Sequence, residues 1–412
     1  MPPLPLAVPQ AAGVGLRRFA WPETPSHAQG LRIAVIGNHP PRQCGIASFT
    51  RDVIEGLERL DCAVHVTAMC DGTMEDGYPA SVENVVDVKS RAEHLWAGEA
   101  IERWRPDVVL VEHEYGIFGG PSGAWLLDML NAIDAPVVTT LHTVLTEPNE
   151  DQARVMAKLV ERSSKLIVMA KAGAAILQVQ DVPVERIAVV PHGAPDRAWE
   201  RPSDARTRLG WRDVPTVMTF GLLSPGKGIE HVIDALPRIL EARPDARYVL
   251  LGATHPHLLA SEGERYRDSL VARAGELGVA HALRMIPRFV SNAELCDALA
   301  ASDIYVTPYG NPQQITSGTL AYALALGKPV ISTPYVHARE ALPPEQIVPH
   351  GDPAALGERV AAMLEEPERL EGLSRWVWKE ARHTVWSAVA GRTLGVLQEA
   401  SASDRTVLIA AE

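Results

Sequence analysis

The sequence predicts an α/β protein built from two doubly wound domains facing across a cleft. Three observations lead there. A chain of 412 residues exceeds what one hydrophobic core usually supports. From Leu31 onward, short apolar runs alternate with amphipathic segments, the β-α-β rhythm of a parallel sheet. That rhythm stops at a polar stretch with four prolines, residues 191–215, and then restarts.

In chain order, residues 32–37, 63–69, 107–111, 136–141, 165–169 and 187–190 read as strands of the first domain. Several are apolar throughout rather than alternating, as strands buried on both faces must be. The second domain takes its strands from 216–221, 247–252, 283–287, 303–308 and 329–333. Between the first two of these, Ile229, Val232, Ile233, Leu236, Ile239 and Leu240 recur at helical spacing and predict one buried stripe. The expected organisation is a flexible tail over 1–30 and a Rossmann-like domain over 31–195. A second Rossmann-like domain follows over 196–385, and a C-terminal helix over 386–412 returns to the first domain.

Composition narrows the partners. Net charge of −12 argues against a nucleic-acid or anionic-membrane binder, but leaves room for an anionic small molecule held by a local cluster of donors. No apolar run reaches the eighteen or so residues that span a bilayer. Residues 1–30 carry prolines and place their arginines after the apolar part, unlike a secretory signal. Cys44, Cys62, Cys70 and Cys296 show no paired spacing, so reduced thiols in the cytoplasm are expected.

Four segments carry chemistry. "GLLSPGKG", 221–228, follows a strand and opens a helix. Gly226 and Gly228 permit close backbone approach and Lys227 adds a cation, a combination suited to a phosphate or diphosphate, or else a plain glycine turn. "TSGT", 316–319, presents Thr316, Ser317, Gly318 and Thr319 at another helix start, as an anion loop or as simple capping. "GNHPPRQCGIASFT", 37–50, brings Gly45 and Ile46 to a helix start, with His39 and Arg42 beside them. "VEHEYG", 111–116, places Glu112, His113, Glu114 and Tyr115 at a strand's carboxyl end, where ligands gather in open sheets. Glu112 and His113 point to opposite faces as strand neighbours, which argues against a shared metal. His142 stands just past a further strand, either as a hydrogen-bonded structural residue or at a ligand.

In this order, these pieces resemble the retaining glycosyltransferases of the GT-B fold, in particular family 4. "VVPHGAPD", "FGLLSPGKG", "AASDIYVTPY" and "ALALGKPVIST" carry the likeness together with the Gly45 loop and His142, over about residues 32–397. The resemblance implies a metal-independent enzyme that takes no cofactor and moves a hexose from a nucleotide sugar, GDP-mannose or UDP-glucose. The acceptor would be a hydroxyl of a saccharide or small molecule. It implies that Lys227, helped by Gly226, Gly228 and residues 316–319, neutralises the leaving diphosphate, with Gly45 and Ile46 approaching from the other domain. His142 would touch the transferred sugar or help stabilise charge as the glycosidic bond breaks, Arg288 and Phe289 would lie near the base, and His39, Arg42, His113 and Tyr115 would line the acceptor side.

The sequence departs from the family in two places. Its paired glutamates fall on Gln314, which still hydrogen-bonds a sugar, and on Tyr322, which offers ribose no carboxylate. Its phosphate-binding arginine falls on Leu222, a loss of roughly 1.5–3 kcal/mol if that contact was a charged hydrogen bond. Two further readings follow from these departures: a GT-B sugar- or nucleotide-binding module with little or no activity, and an enzyme using an altered donor such as a sugar phosphate.

Overall fold

A computed structural model describes residues 30–72 and 77–411, with side chains of the last helix described to residue 402. The expected tail, apart from Gly30, lies outside the described residues. The chain forms two compact units. The N-terminal unit ends at Ala194 and also takes in 315–318 and the segment from His383. The C-terminal unit holds Pro195–Gln314 and Thr319–Arg382.

The N-terminal unit has β1 (Arg32–Gly37), β2 (Ala63–Cys70), β3 (Asn84–Asp87), β4 (Val108–His113), β5 (Val137–Leu141), β6 (Ser163–Val168) and β7 (Ile187–Val189). They form one sheet in the order β3-β2-β1-β4-β5-β6-β7, every pair parallel. The unbroken apolar runs are explained by burial on both faces; all six residues of β4 are buried. β3 escapes a reading from sequence because four residues with polar ends carry too little apolar pattern.

Helix Gly45–Glu58 buries Phe49, Val53, Ile54 and Leu57. Helix Trp386–Ala411 adds Val389, Leu394, Leu397 and Ala400 to the same core. The two pack closely because Gly56 has no side chain: a Cβ there would stand 2.5 Å from that of Ala390.

The C-terminal unit has β8 (Thr216–Phe220), β9 (Arg247–Leu251), β10 (Leu283–Ile286), β11 (Ile304–Thr307) and β12 (Val330–Ser332). Their order is β10-β9-β8-β11-β12, again all parallel. The stripe expected between the first two strands lies on helix Ile229–Ala242. Ile229, Val232, Ile233, Leu236 and Ile239 are buried there and Leu240 packs partly buried. Each such burial stabilises by roughly 1.5–3 kcal/mol.

The stretch read as a linker is not unstructured. Helix Pro202–Arg208 lies within it. Arg206 is buried, donating to Asp213 at 2.9 Å, to Asp303 at 2.8 Å and to the Ala301 carbonyl at 3.0 Å. An ion-paired arginine docks this helix instead of an apolar stripe, so periodicity gave no sign of it. Among the described residues, no helix is long and apolar enough to cross a membrane.

Candidate active site

In each sheet the strand order reverses beside the first strand, between β1 and β4 and between β8 and β11. Loops beyond the carboxyl ends of those strands are where open α/β sheets bind ligands.

In the N-terminal unit this place holds a histidine and a carboxylate. The Glu112 Oε2 lies 2.8 Å from His142 Nε2, and Thr140 donates to Oε1 at 3.4 Å. The Glu112 side chain is 1% exposed and that of His142 10%. Gly37 makes the room, since a Cβ there would stand 2.9 Å from that of Glu112. Phe49 meets the His142 ring edge-on at 4.8 Å, and the His192 and Trp386 rings at 5.0 Å each.

Gly45 opens its helix with nothing within 4 Å of where a Cβ would stand, so its backbone is open to close approach, and Ile46 beside it is half-buried. His39 is buried and its Nδ1 lies 2.8 Å from the Pro40 carbonyl. Burial pulls its imidazole below the ordinary range, opposed by that carbonyl. Arg42 is paired with Asp71 at 3.2 Å.

Residues 316–318 pack within the same unit. Ser317 is buried, and Gly318 lies against the His192 ring: a Cβ there would stand 2.8 Å from Nε2. Ile315 approaches Gly173 in similar fashion, its Cδ1 at 3.7 Å from the corresponding position. These two contacts place with the first unit a segment that sequence assigns to the second.

The site in the C-terminal unit is built around one lysine. Lys227 Nζ sits 4.0 Å from the centre of the Tyr309 ring. The Tyr309 hydroxyl hydrogen-bonds Thr319 Oγ1 at 2.6 Å, and its ring stacks on Tyr335 at 5.3 Å. The two glycine-bearing loops also meet directly, where Gly310 N donates to the Gly226 carbonyl at 3.1 Å. Gly228 must be glycine: its φ is +61° and a Cβ would stand 2.1 Å from the Pro308 carbonyl oxygen. Gly226 has open space around it.

Of the other expected residues, His113, Tyr115 and Tyr322 are buried, whereas Arg288 and Phe289 are exposed. His113 is fully buried, stacked on Phe118 and edge-on to Tyr115, and Tyr115 is 8% exposed. Neither offers a surface to an acceptor in this structure, because β4 turns His113 away from Glu112 into the interior. Burial, then the neighbouring His142, pushes the His113 imidazole down to about 3. Burial likewise pushes the Tyr115 phenol up to about 12. Tyr322 is 9% exposed and packs against Phe220, so its ring fills the core. Gln314 is half-buried, and its backbone carbonyl accepts from His337 N at 3.1 Å. Arg288 is exposed and paired with Glu294 at 2.7 Å, while Phe289 is exposed beside it past β10, the edge strand.

Glu112 as the partner of His142, and Phe49, His192 and Tyr309 as organisers, are not evident from sequence alone. One signal was available for Glu112: a single acid in an otherwise apolar buried strand. Among the described residues, no group of three His, Cys, Asp or Glu side chains is arranged to hold a metal ion.

Comparison with known proteins agrees with this architecture. The Glycosyltransferase Family 4 model matches residues 44–197, and the model for Glycosyl transferases group 1 matches 214–366. A D-inositol 3-phosphate glycosyltransferase of Segniliparus rotundus is 27% identical over 309 residues, 70% of this chain and 65% of that protein. The chain thus spans just under two thirds of that relative's length. A GDP-mannose-dependent monoacylated alpha-(1-6)-phosphatidylinositol monomannoside mannosyltransferase of Corynebacterium glutamicum is 26% identical over 197 residues, 44% of this chain and 48% of that one. In fold, Anabaena HepE in complex with UDP superposes with a TM-score of 0.72 at 16% identity, covering 90% of this chain and 100% of that one. Two family models in succession, one over each of two all-parallel sheets, identify the chain as a member of the family 4 glycosyltransferases, with the two-domain GT-B fold.

Proposed function

We propose that this protein transfers a hexosyl group from a nucleotide sugar to a hydroxyl of a saccharide or small-molecule acceptor, with retention and without a metal ion. The arrangement around Lys227 carries the reading. Its ammonium rests on a ring face, two loops with accessible backbone flank it, and Tyr309 ties both together. Such a set suits the charge that develops on a departing diphosphate, which a fixed cation and amides stabilise without reorganising. His142, held by Glu112, would meet the transferred sugar, and Gly45 with Ile46 would admit the donor phosphates.

GDP-mannose and UDP-glucose are the donors to try first. One relative is GDP-mannose-dependent by name and one structural neighbour holds UDP. An inositol phosphate is a sensible first acceptor, since another relative is named for it. Nucleic acid is not expected at a net charge of −12. A cytoplasmic setting goes with this reading, and none of the four cysteines forms a disulfide.

Thermal-shift screening of nucleotide sugars, followed by hydrolysis and transfer assays on any binder, tests it. Turnover that survives Lys227→Ala at the wild-type rate would remove Lys227 from the mechanism. Gln314, Tyr322 and Leu222, each uncharged where the family carries charge, favour two alternatives. Binding without turnover would indicate a binding module, and turnover of a sugar phosphate alone would indicate an altered donor.

A further inference from the structure

We infer that Glu112 is a positioning residue: its carboxylate takes the Nε2–H of His142 and so reserves Nδ1 for a hydroxyl of the transferred sugar. This rests on the assignment of His142 to that sugar. A glutamate is almost never fully buried without a partner. Glu112 is 0% exposed, and the 2.8 Å contact with His142 is its one short hydrogen bond. Removing a carboxylate from water costs several kcal/mol, and a well-packed apolar residue commonly does as well or better for stability. Stability alone is therefore a poor reason for an acid at this point in the sheet.

The surroundings hold the pair in one geometry. Gly37 leaves space for the Glu112 stem, Thr140 donates to its second oxygen, and Phe49 closes on the His142 ring edge-on. Thr140 is also the register partner of Glu112 across β4 and β5, so the sheet itself sets the distance. Among the described residues, His142 Nδ1 has no hydrogen-bond partner. Which imidazole nitrogen carries the proton is set by the bond the other nitrogen makes. A donor at Nε2 makes Nδ1 a lone-pair acceptor suited to a sugar hydroxyl.

The test uses the full chain labelled with 15N-histidine. The His142 ring signals are assigned by their loss in His142→Gln. Wild type should show the Nε2–H tautomer. Glu112→Gln should keep it, because the amide oxygen still accepts, whereas Glu112→Ala should give a mixture of tautomers. With UDP-glucose or GDP-mannose, Glu112→Ala should lower kcat on the order of 100-fold, as expected for misplacing a reacting group, with KM little changed. Glu112→Gln should recover most of that rate.

If Glu112→Ala does not fold, Glu112→Met replaces it under the same criteria. An unchanged tautomer in the alanine or methionine variant overturns the inference. So does a rate loss equal in Glu112→Gln and Glu112→Ala. If wild type turns over neither donor, the functional reading fails, and the ring signals still decide whether Glu112 sets the tautomer.

Discussion

The strand-end sites of the two units differ in how far their charged groups are already committed. In the N-terminal unit, Glu112 is buried, His142 is partly buried, and the two are bonded to each other. In the C-terminal unit, Lys227 has the face of Tyr309, and among the described residues its ammonium makes no ion pair or hydrogen bond. A charge satisfied inside the protein serves to hold a side chain still. A cation left with only a ring face, beside open glycine backbone, can answer an incoming anion. On the proposed function, positioning would fall to one unit and charge stabilisation to the other.

The largest expected effect comes from removing that cation. Lys227→Ala should lower kcat about 100- to 1,000-fold, the usual cost of one preorganised stabilising donor, with the thermal melt unchanged. A melt that falls with the rate would mean the lysine is structural, and the contrast between the units would fail. Next, Leu222→Arg restores a second cation in the loop after β8. It should tighten UDP binding measured by calorimetry about 10- to 100-fold, as one charged hydrogen bond allows. No gain would show that Leu222 does not face the diphosphate.

Acid should act on the N-terminal unit. The His113 imidazole lies at about 3 against an ordinary 6.5, so the unfolded chain takes up a proton that the folded one refuses. Its contribution to stability is complete above pH 6.5 and lost as pH falls toward about 3, at up to about 1.4 kcal/mol per pH unit. His113→Leu should therefore lose about 2 kcal/mol less than wild type between about pH 7 and pH 5 in urea titrations. Equal acid sensitivity would place the lability elsewhere.

The smallest effect concerns Tyr309. Tyr309→Leu removes the ring beneath Lys227 and the hydroxyl on Thr319, and should weaken UDP binding about 5-fold, the scale of one cation–π contact. Tyr309→Phe keeps the ring and should cost less. An equal loss in the phenylalanine variant would assign the main role to the hydroxyl.

Much of this was legible in the sequence, for local reasons. Apolar runs in a buried parallel sheet and the stripe from Ile229 to Leu240 mark themselves within a few residues. The loops at Gly45 and at Gly226–Gly228 are contiguous as well. The opposite directions of Glu112 and His113 also followed from strand geometry. What did not show is whatever needs chain register. Glu112 meets His142 across 30 residues because β4 and β5 pair with Glu112 opposite Thr140. The Lys227–Tyr309–Thr319 chain joins the turn after β8 to the loop after β11 and the helix start that follows it. The place of 315–318 depended on a glycine giving way to His192, which no pattern announces.

The return of helix Trp386–Ala411 to the first unit has a consequence for synthesis. Phe49, Leu57 and Leu110 share a core with Val389, Leu394 and Leu397. On the ribosome, β1 to β7 emerge long before those partners exist, while the C-terminal unit's strands follow in between. At ordinary rates of about 5–20 residues per second, the exposed face of helix Gly45–Glu58 waits for many seconds. The unit made first is therefore completed last, and nascent chains halted before Trp386 should be the ones most dependent on chaperones.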